Sequence, residues 1–412
     1  MESQQNKAQL RRALSLPLIT FYGLGTILGA GIYVLVGKVA GAAGMYAPFA
    51  FLLAAAVAAF TAFTYAELVA RHPLSAAEAV YVQEGLRRRE LTILVGLLIV
   101  FSGLVSSATI ASGFVGYLRV FVELPDTLVI VLLVLALGML AAWGILESVT
   151  AAAVATVIEI AGLVLIIAVS WESFVAVPDR LPELLPPLDG TVWWGIAVGS
   201  FLAFYAFIGF EDMVNVAEEV KDPQRNMPRA IIFALVGSTM LYFLVITAAV
   251  LALPIASLSE SEAPLALMYE NATGNRPLLI AVISLFAVVN GALIQMIMAS
   301  RMLFGMGRSG WLPGVLAQVS GRTHTPLVAT AVVTVGVMVF ALWLPLVTLA
   351  ELTSFAILLV FILVNLSLIA IKRHQPPPPG IRVYPLWVPY GGLLSALALL
   401  VFSTLNMFGY SA

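Results

Sequence analysis

Residues 23–31 read Gly-Leu-Gly-Thr-Ile-Leu-Gly-Ala-Gly, which places four glycines within nine residues. The run lies in the middle of an apolar stretch, 16–41, that is long enough to cross a bilayer as a helix. Glycine weakens a helix, but in a membrane it also lets two helices pack closely. The run therefore indicates either a close helix contact or an interruption of the first span.

The composition of the whole chain identifies the solvent around this stretch. Of the 412 residues, 61% are hydrophobic and only 10% are charged, and the mean hydropathy is +1.05. Soluble domains are about a quarter charged, so water could not solvate a folded surface of this composition. Continuous apolar runs, rather than alternation, favour helices over a β-barrel. We predict an all-α integral membrane protein surrounded by the lipid bilayer.

Eleven apolar stretches have the length of a membrane span, and we expect them to form a single transmembrane domain, 1–412. The stretches are 16–41, 45–70, 91–119, 127–146, 149–171, 191–217, 229–254, 277–304, 325–343, 346–371 and 385–409. With a cytoplasmic N-terminus, sixteen Lys and Arg residues fall inside and four outside. This asymmetry predicts a multi-pass protein of the cell membrane. The odd count predicts an extracytoplasmic C-terminus.

Several classes of protein are disfavoured by what the sequence lacks. There is no cysteine, and the formal net charge of −2 offers no basic face to nucleic acid. The three histidines lie near basic residues and prolines at the ends of spans. We therefore expect no metal site, no cofactor, no nucleic-acid partner and no enzymatic activity. An intramembrane enzyme or a sensor is the alternative from another class, but no catalytic constellation supports it.

A second interruption is predicted in the sixth span, where 205–212 reads Tyr-Ala-Phe-Ile-Gly-Phe-Glu-Asp. Spans one and six are the first members of two five-helix halves, 16–171 and 191–371, and 385–409 is an additional helix. Interrupted helices at equivalent positions are typical of transporters built from inverted repeats, with the binding site near the midplane. The free N–H groups of a half-helix suit a carboxylate, and free carbonyls suit an ammonium group. An α-amino acid carries both groups.

The sequence also resembles the amino acid–polyamine–organocation permeases, through motifs that follow one another in the family's order. The matching segments are Gly-Ala-Gly-Ile-Tyr at 29–33, Tyr-Ala-Glu-Leu at 65–68, Phe-Ile-Gly-Phe-Glu at 207–211, 217–228 and 299–313. The resemblance implies the leucine-transporter fold. Two departures concern specificity and the inner gate: Ser102 stands where some relatives have an acid, and Ser-Ala-Ala-Glu at 75–78 replaces a glycine pair.

By this resemblance, the residues of the two breaks receive roles in binding a small-molecule substrate. The amides of Ala30 and Gly31 are expected to bind the substrate carboxylate. The carbonyls of Ile27, Tyr205 and Ile208 are expected to bind its ammonium group, and the Tyr205 ring to close over it.

Four further residues are assigned to the breaks and to gating. They are Gly29, Phe207, Gly209 and Glu211. Glu211 matches the family's acidic position, and because neighbouring residues do not share a helix face, we expect it rather than Asp212 to point at the cavity. Packing against other helices is the plain alternative for Phe207.

Glu159 is the ionisable residue that the sequence places deepest in a span, with ten uncharged residues on each side. Some proton-coupled relatives have a lysine at the matching position. A buried carboxyl can carry a proton, act as a static hydrogen-bonding group or ligate a cation, and the sequence leaves these three roles open. The leading hypothesis is an amino-acid permease that works by proton symport or exchange, and the runner-up is a permease for polyamines or other amines.

Overall fold

A computed structural model describes residues 14–74, 77–143, 148–320 and 325–407. Within these ranges the chain is helical, and its only β-type pairing is an isolated bridge between Leu14 and Val220. Seven of the described helices are long and apolar enough to cross a membrane, and four shorter apolar helices accompany them. The predicted all-α membrane fold is confirmed.

Each predicted span of the first half corresponds to one helix or to a broken pair. The helices are α1 (Leu16–Leu28), α2 (Ala30–Ala43), α3 (Ala47–Arg71), α4 (Ala77–Leu86), α5 (Arg89–Leu118), α6 (Asp126–Trp143) and α7 (Ser148–Val169). Span one consists of α1 and α2, and α4 is a short helix between spans two and three. The predicted end of span four, 144–146, lies outside the described residues.

The second half follows the same scheme with short helices in its loops. The helices are α8 (Trp171–Val175), α9 (Val177–Leu184), α10 (Gly190–Phe204), α11 (Pro223–Ala252), α12 (Ile255–Glu260), α13 (Pro264–Thr273), α14 (Leu278–Arg308), α15 (Leu327–Trp343), α16 (Leu346–His374) and α17 (Trp387–Met407). Span six consists of α10, a 3-10 turn over Tyr205–Phe207 and a second 3-10 segment over Asp212–Glu219.

The two broken spans lie inside the bundle. Helix α1 packs on α7 and α11, and α2 packs on α10, which also contacts α3. Small residues allow this close packing: a side chain at Gly199 of α10 would lie 2.9 Å from the Ala43 methyl group and 3.2 Å from that of Ala50. The breaks are therefore shielded from lipid by the surrounding helices.

A buried charge cluster ties the end of span two to span ten and to the segment before α17. The Glu67 carboxylate, fully buried, lies 2.8 Å from both Arg71 Nη2 and Lys372 Nζ. It also accepts a hydrogen bond of 2.9 Å from the Tyr384 backbone N–H. A buried carboxylate needs such partners to offset its lost hydration. The cluster fixes the position of the additional helix relative to span two.

Candidate functional site

The break of span one is confined to a single residue. Helix α1 ends at Leu28 and α2 begins at Ala30, with Gly29 between them at φ −44° and ψ −139°. The last carbonyls of α1 and the first N–H groups of α2 therefore meet around Gly29. An α-helix leaves four such groups without intrahelical partners at each end. The sequence predicted an unwound stretch here, and the observed interruption is shorter.

The break of span six is longer and includes a residue that only glycine suits. Helix α10 ends at Phe204, the 3-10 turn follows, and Ile208 is extended. Gly209 then adopts φ +133°, a conformation that side-chain-bearing L residues rarely reach. Its backbone N–H donates a 2.9 Å hydrogen bond to Glu211 Oε2. The Glu211 carboxyl thus satisfies a backbone group that the break leaves without a helical partner.

The two breaks interlock so closely that glycine is required on both sides. A Cβ on Gly31 would lie 2.5 Å from Ala206 Cα, and one on Gly209 would lie 2.5 Å from the Thr26 carbonyl oxygen. Such distances do not occur between non-bonded atoms at a real Cβ. The Thr26 hydroxyl also bonds across the interface, with its Oγ1 donating to the Gly209 carbonyl at 3.0 Å. Close contact between the breaks explains these glycines.

Tyr242 of α11 joins the carbonyls of the two breaks. Its hydroxyl oxygen lies 2.5 Å from the Ile27 carbonyl oxygen and 2.9 Å from the Ala206 carbonyl oxygen. A tyrosine has one hydroxyl proton, so the two carbonyls share it. Each carbonyl keeps an acceptor position that this proton does not use. Tyr242 therefore holds the breaks in register from the side of span seven.

A small cavity lies where the breaks face spans three and eight. Its volume is about 20 Å³, enough for about one water molecule. The lining residues are Thr26, Ile27, Gly29, Gly31, Ser106, Ile110, Tyr205, Ile208, Gly291, Ile294 and Gln295. Four isoleucines make the lining largely apolar, and backbone groups of the breaks supply polar atoms. An amino acid requires the cavity to widen.

Five of the nine residues assigned to the breaks line this cavity. They are Ile27, Gly29, Gly31, Tyr205 and Ile208. Ala30 begins α2 beside it. Phe207 is fully buried away from the lining, with its ring edge-to-face on Phe51 and Tyr242. Gly209 and Glu211 form the backbone contact described above rather than the wall.

Tyr205 closes the cavity against span three. Its hydroxyl oxygen lies 3.0 Å from Ser106 Oγ and also donates to the Ser106 carbonyl at 3.3 Å. Tyr205 is 4% exposed, so its ring is enclosed by protein. The contact links a broken span to an unbroken one across the cavity.

The sequence reasoning missed three polar residues around the cavity. Gln295 lines it and donates a 2.9 Å hydrogen bond from Nε2 to Asp212 Oδ2, so Asp212 lies directly behind the wall. Ser106 and Tyr242 were also missed. Each lies within an otherwise apolar stretch, and that isolation of a polar side chain is the signal that could have found them.

Glu159 is buried against span eight, and its side chain is 1% exposed. Asn290 Nδ2 of α14 donates to its Oε1 at 3.3 Å, and Oε2 has no hydrogen-bond partner among the described residues. The Glu159 backbone carbonyl accepts a 2.8 Å hydrogen bond from the Tyr33 hydroxyl of α2. The carboxyl therefore lies next to span one, with one oxygen available to a proton.

Comparison with known proteins identifies the family. A family model described as amino acid permease matches residues 14–411. The chain belongs to this family. The match covers almost the whole chain, including the motifs quoted from the sequence. It confirms the resemblance to the amino acid–polyamine–organocation superfamily.

Relatives of the permease have several transport functions. It is 27% identical to the branched-chain amino acid permease BcaP of Bacillus subtilis over 90% of this chain and 83% of that protein. It is 29% identical to the vacuolar cationic amino acid transporter 4 of Arabidopsis thaliana over 90% of this chain and 64% of that protein. The methylthioribose transporter of Bacillus subtilis is 27% identical over 91% of this chain and 84% of its own length.

Proposed function

We propose that this protein is a secondary active transporter that moves amino acids across the cell membrane by alternating access. Its N-terminus lies in the cytoplasm and its C-terminus outside, and its ten first spans form two inverted five-helix repeats. Spans one, two, six and seven rock against the remaining spans around a fixed site. The family and the transport functions of the relatives support the proposal.

The observation that carries this proposal is the cavity between the two breaks. Backbone amides of Ala30 and Gly31 at the start of α2 bind the substrate carboxylate. Carbonyls of Ile27, Tyr205 and Ile208 bind its ammonium group. The Ile27 carbonyl accepts from Tyr242 and has a second lone pair for the substrate.

The side-chain preference follows from the apolar part of the lining. Ile110 and Ile294 lie opposite the backbone groups of the breaks, together with the isoleucines of the breaks themselves. An apolar wall favours a neutral aliphatic side chain, because burying an unpaired charge or amide there is costly. The similarity to the branched-chain amino acid permease BcaP of Bacillus subtilis supports this preference.

Uptake into proteoliposomes tests the function. The purified protein should accumulate radiolabelled leucine, isoleucine or valine, and an excess of the same unlabelled amino acid should compete. A pH gradient and a sodium gradient are applied separately, and exchange is measured by preloading the vesicles. Absence of uptake and of exchange across the whole panel of amino acids and amines would refute the proposal.

Polyamine or amine transport is the second candidate, and Asp212 is the observation in its favour. The Asp212 carboxyl lies behind Gln295, and a rotation of that amide would expose a negative group to the cavity. In this case putrescine should outcompete leucine. The substitution Asp212→Asn should then reduce uptake of the amine without affecting that of leucine.

Glu159 is proposed as the group that couples transport to a proton. The substitution Glu159→Gln keeps the Asn290 contact but removes the titratable group. We expect it to abolish acceleration of uptake by a pH gradient, roughly tenfold or more, while exchange in preloaded vesicles continues. Glu123→Gln, at an exposed position, is the control. Gradient-driven uptake that survives in Glu159→Gln would exclude this role.

A further inference from the structure

A second set of buried carboxyls lies on the inner side of the breaks, and its centre is Glu78 of α4. The Glu78 side chain is fully buried, and neither of its carboxylate oxygens makes a hydrogen bond to a described residue. Glu211 Oε1 is likewise buried without a partner among the described residues. These two side chains interact electrostatically, and Asp212 interacts with both.

The surroundings of Glu78 contain polar groups with unused hydrogen-bonding capacity. The hydroxyls of Tyr65 and Tyr81 and the amide nitrogen of Asn215 are buried without a hydrogen bond to a described residue. Asn215 is close enough to favour the ionised form of Glu78 although no hydrogen bond is formed. Buried polar atoms in proteins are nearly always paired, so a cluster of unpaired ones requires a further partner, such as a proton, an ion or an ordered water.

The titratable groups that interact with Glu78 are all acids. Glu211 and Asp212 of span six are carboxyls, and Tyr65 of α3 and Tyr81 of α4 are neutral acids. The neighbouring helices contribute uncharged contacts: α16 places Ser367 against Gly85, and Thr92 of α5 bonds to Gln83. Three ionised carboxylates would therefore repel one another in a buried site.

A proton resolves this repulsion better than a metal ion does. No group of three or more carboxyl, histidine or cysteine side chains among the described residues is arranged to hold a metal. Burial also raises the pKa of Glu78 to about 8, and the Glu211 carboxyl contributes to the rise. The neutral acid supplies an O–H donor, and Glu211 Oε1 is a buried acceptor without a partner among the described residues.

We propose that Glu78, together with Glu211 and Asp212 of span six, forms a proton-binding site on the inner side of the substrate cavity, separate from Glu159. The proton neutralises the cluster while α4 covers it. When the inner face opens, water reaches Glu78 and the proton exchanges with the cytoplasm. This last step rests on the proposed transport function, whereas proton binding requires only the fold.

The sign of the linkage with stability follows from the raised pKa. A carboxyl with an ordinary pKa of 4.5 in the unfolded chain and about 8 in the folded protein binds more protons in the folded state between these values. Stability from this group is therefore complete at low pH and is lost as the pH rises through this window. Glu78→Gln should remove this loss.

Infrared spectroscopy of the purified full chain tests the site without transport. In a Glu159→Gln background, which removes the other buried carboxyl proposed to carry a proton, a protonated-carboxyl band should weaken as the pH rises from about 6.5 to about 9.5, about one and a half units on each side of the expected midpoint. The part of the band that is lost over this pH range should be missing when Glu78→Gln is added. Glu84→Gln on the exposed face of the same helix is the matched control and should keep the band.

Further measurements keep the test decisive. Glu78→Met provides a second neutral side chain in case the glutamine variant does not fold, and it should also lack that part of the band. Thermal unfolding between pH 6 and pH 9 should change less in either folded variant than in the wild type. A pH-dependent band that is undiminished when Glu78→Gln is added would overturn the proposal. So would a missing wild-type band combined with stabilisation by Na⁺ or K⁺ that depends on Glu78, because the site would then bind a cation.

Discussion

Span one is interrupted at Gly29 alone, whereas the interruption of span six extends from Tyr205 to Glu211. The short break exposes two helix ends directly to the cavity, and its partners come from other spans, such as the Tyr242 hydroxyl. The long break contains its own hydrogen-bond partner: the Gly209 N–H donates to the Glu211 carboxyl. The two breaks thus satisfy their backbone groups in different ways, and the acid belongs to the longer one.

The largest effect is expected at the glycine that the long break requires. Gly209→Ala forces a methyl group against the Thr26 carbonyl and places alanine at φ +133°. Strain and overpacking each cost about 1–3 kcal/mol, so most of the protein should fail to fold. The monodisperse fraction in size-exclusion chromatography is the measurement.

Gly305→Ala is the control for Gly209→Ala, because a Cβ at Gly305 in α14 would meet no atom within 4 Å. It should elute like the wild type. If both variants fold equally well, the breaks do not interlock as described.

Removing the hydroxyl that joins the two breaks should have an intermediate effect. Tyr242→Phe deprives the Ile27 and Ala206 carbonyls of their shared donor, which costs about 1–3 kcal/mol for buried acceptors. The apparent unfolding temperature in detergent should fall by several degrees. Tyr46→Phe, a half-buried tyrosine in the turn after α2, is the control and should unfold like the wild type. Equal values for the two variants would mean that the breaks are aligned without Tyr242.

The smallest effect is expected at the contact between the long break and span three. Ser106→Ala removes one neutral hydrogen bond to the Tyr205 hydroxyl, worth about 0.5–1.5 kcal/mol. If the Tyr205 ring closes over the substrate, as the resemblance implies, the apparent affinity for the transported amino acid should fall roughly two- to tenfold, with little change in the unfolding temperature. Ser112→Ala, on the same helix and bonded only to its own backbone turn, serves as control. An unchanged affinity in Ser106→Ala would show that the hydrogen bond of Tyr205 to Ser106 does not contribute to closing the site.

The existence of both breaks was predictable from local sequence, but their shapes were not. Four glycines in 23–31 indicated an interruption, and they could not show whether one residue or several leave the helix. The structure assigns separate reasons to them: Gly23 faces Met213, Gly25 faces Thr156 and Gly31 faces Ala206. Close packing and helix interruption are therefore both present in the same run.

The ionisable residues show the same division. The depth of Glu159 in span five was evident from ten uncharged residues on each side, but its Asn290 partner is 131 positions away. Glu78 lies in a short helix between two spans, and its burial depends on packing against spans that are distant in sequence. Pairing of this kind is a property of the assembled bundle.

The sequence by itself determined the solvent, the helical class, the approximate spans and the two interrupted positions, because hydrophobic length and glycine content act locally along the chain. Only the tertiary structure decided which groups meet. It placed Tyr242 between the break carbonyls, Glu211 on the backbone of the long break and Gln295 in front of Asp212. Such contacts depend on how separate helices pack against one another, and the sequence pattern within one helix does not determine that packing.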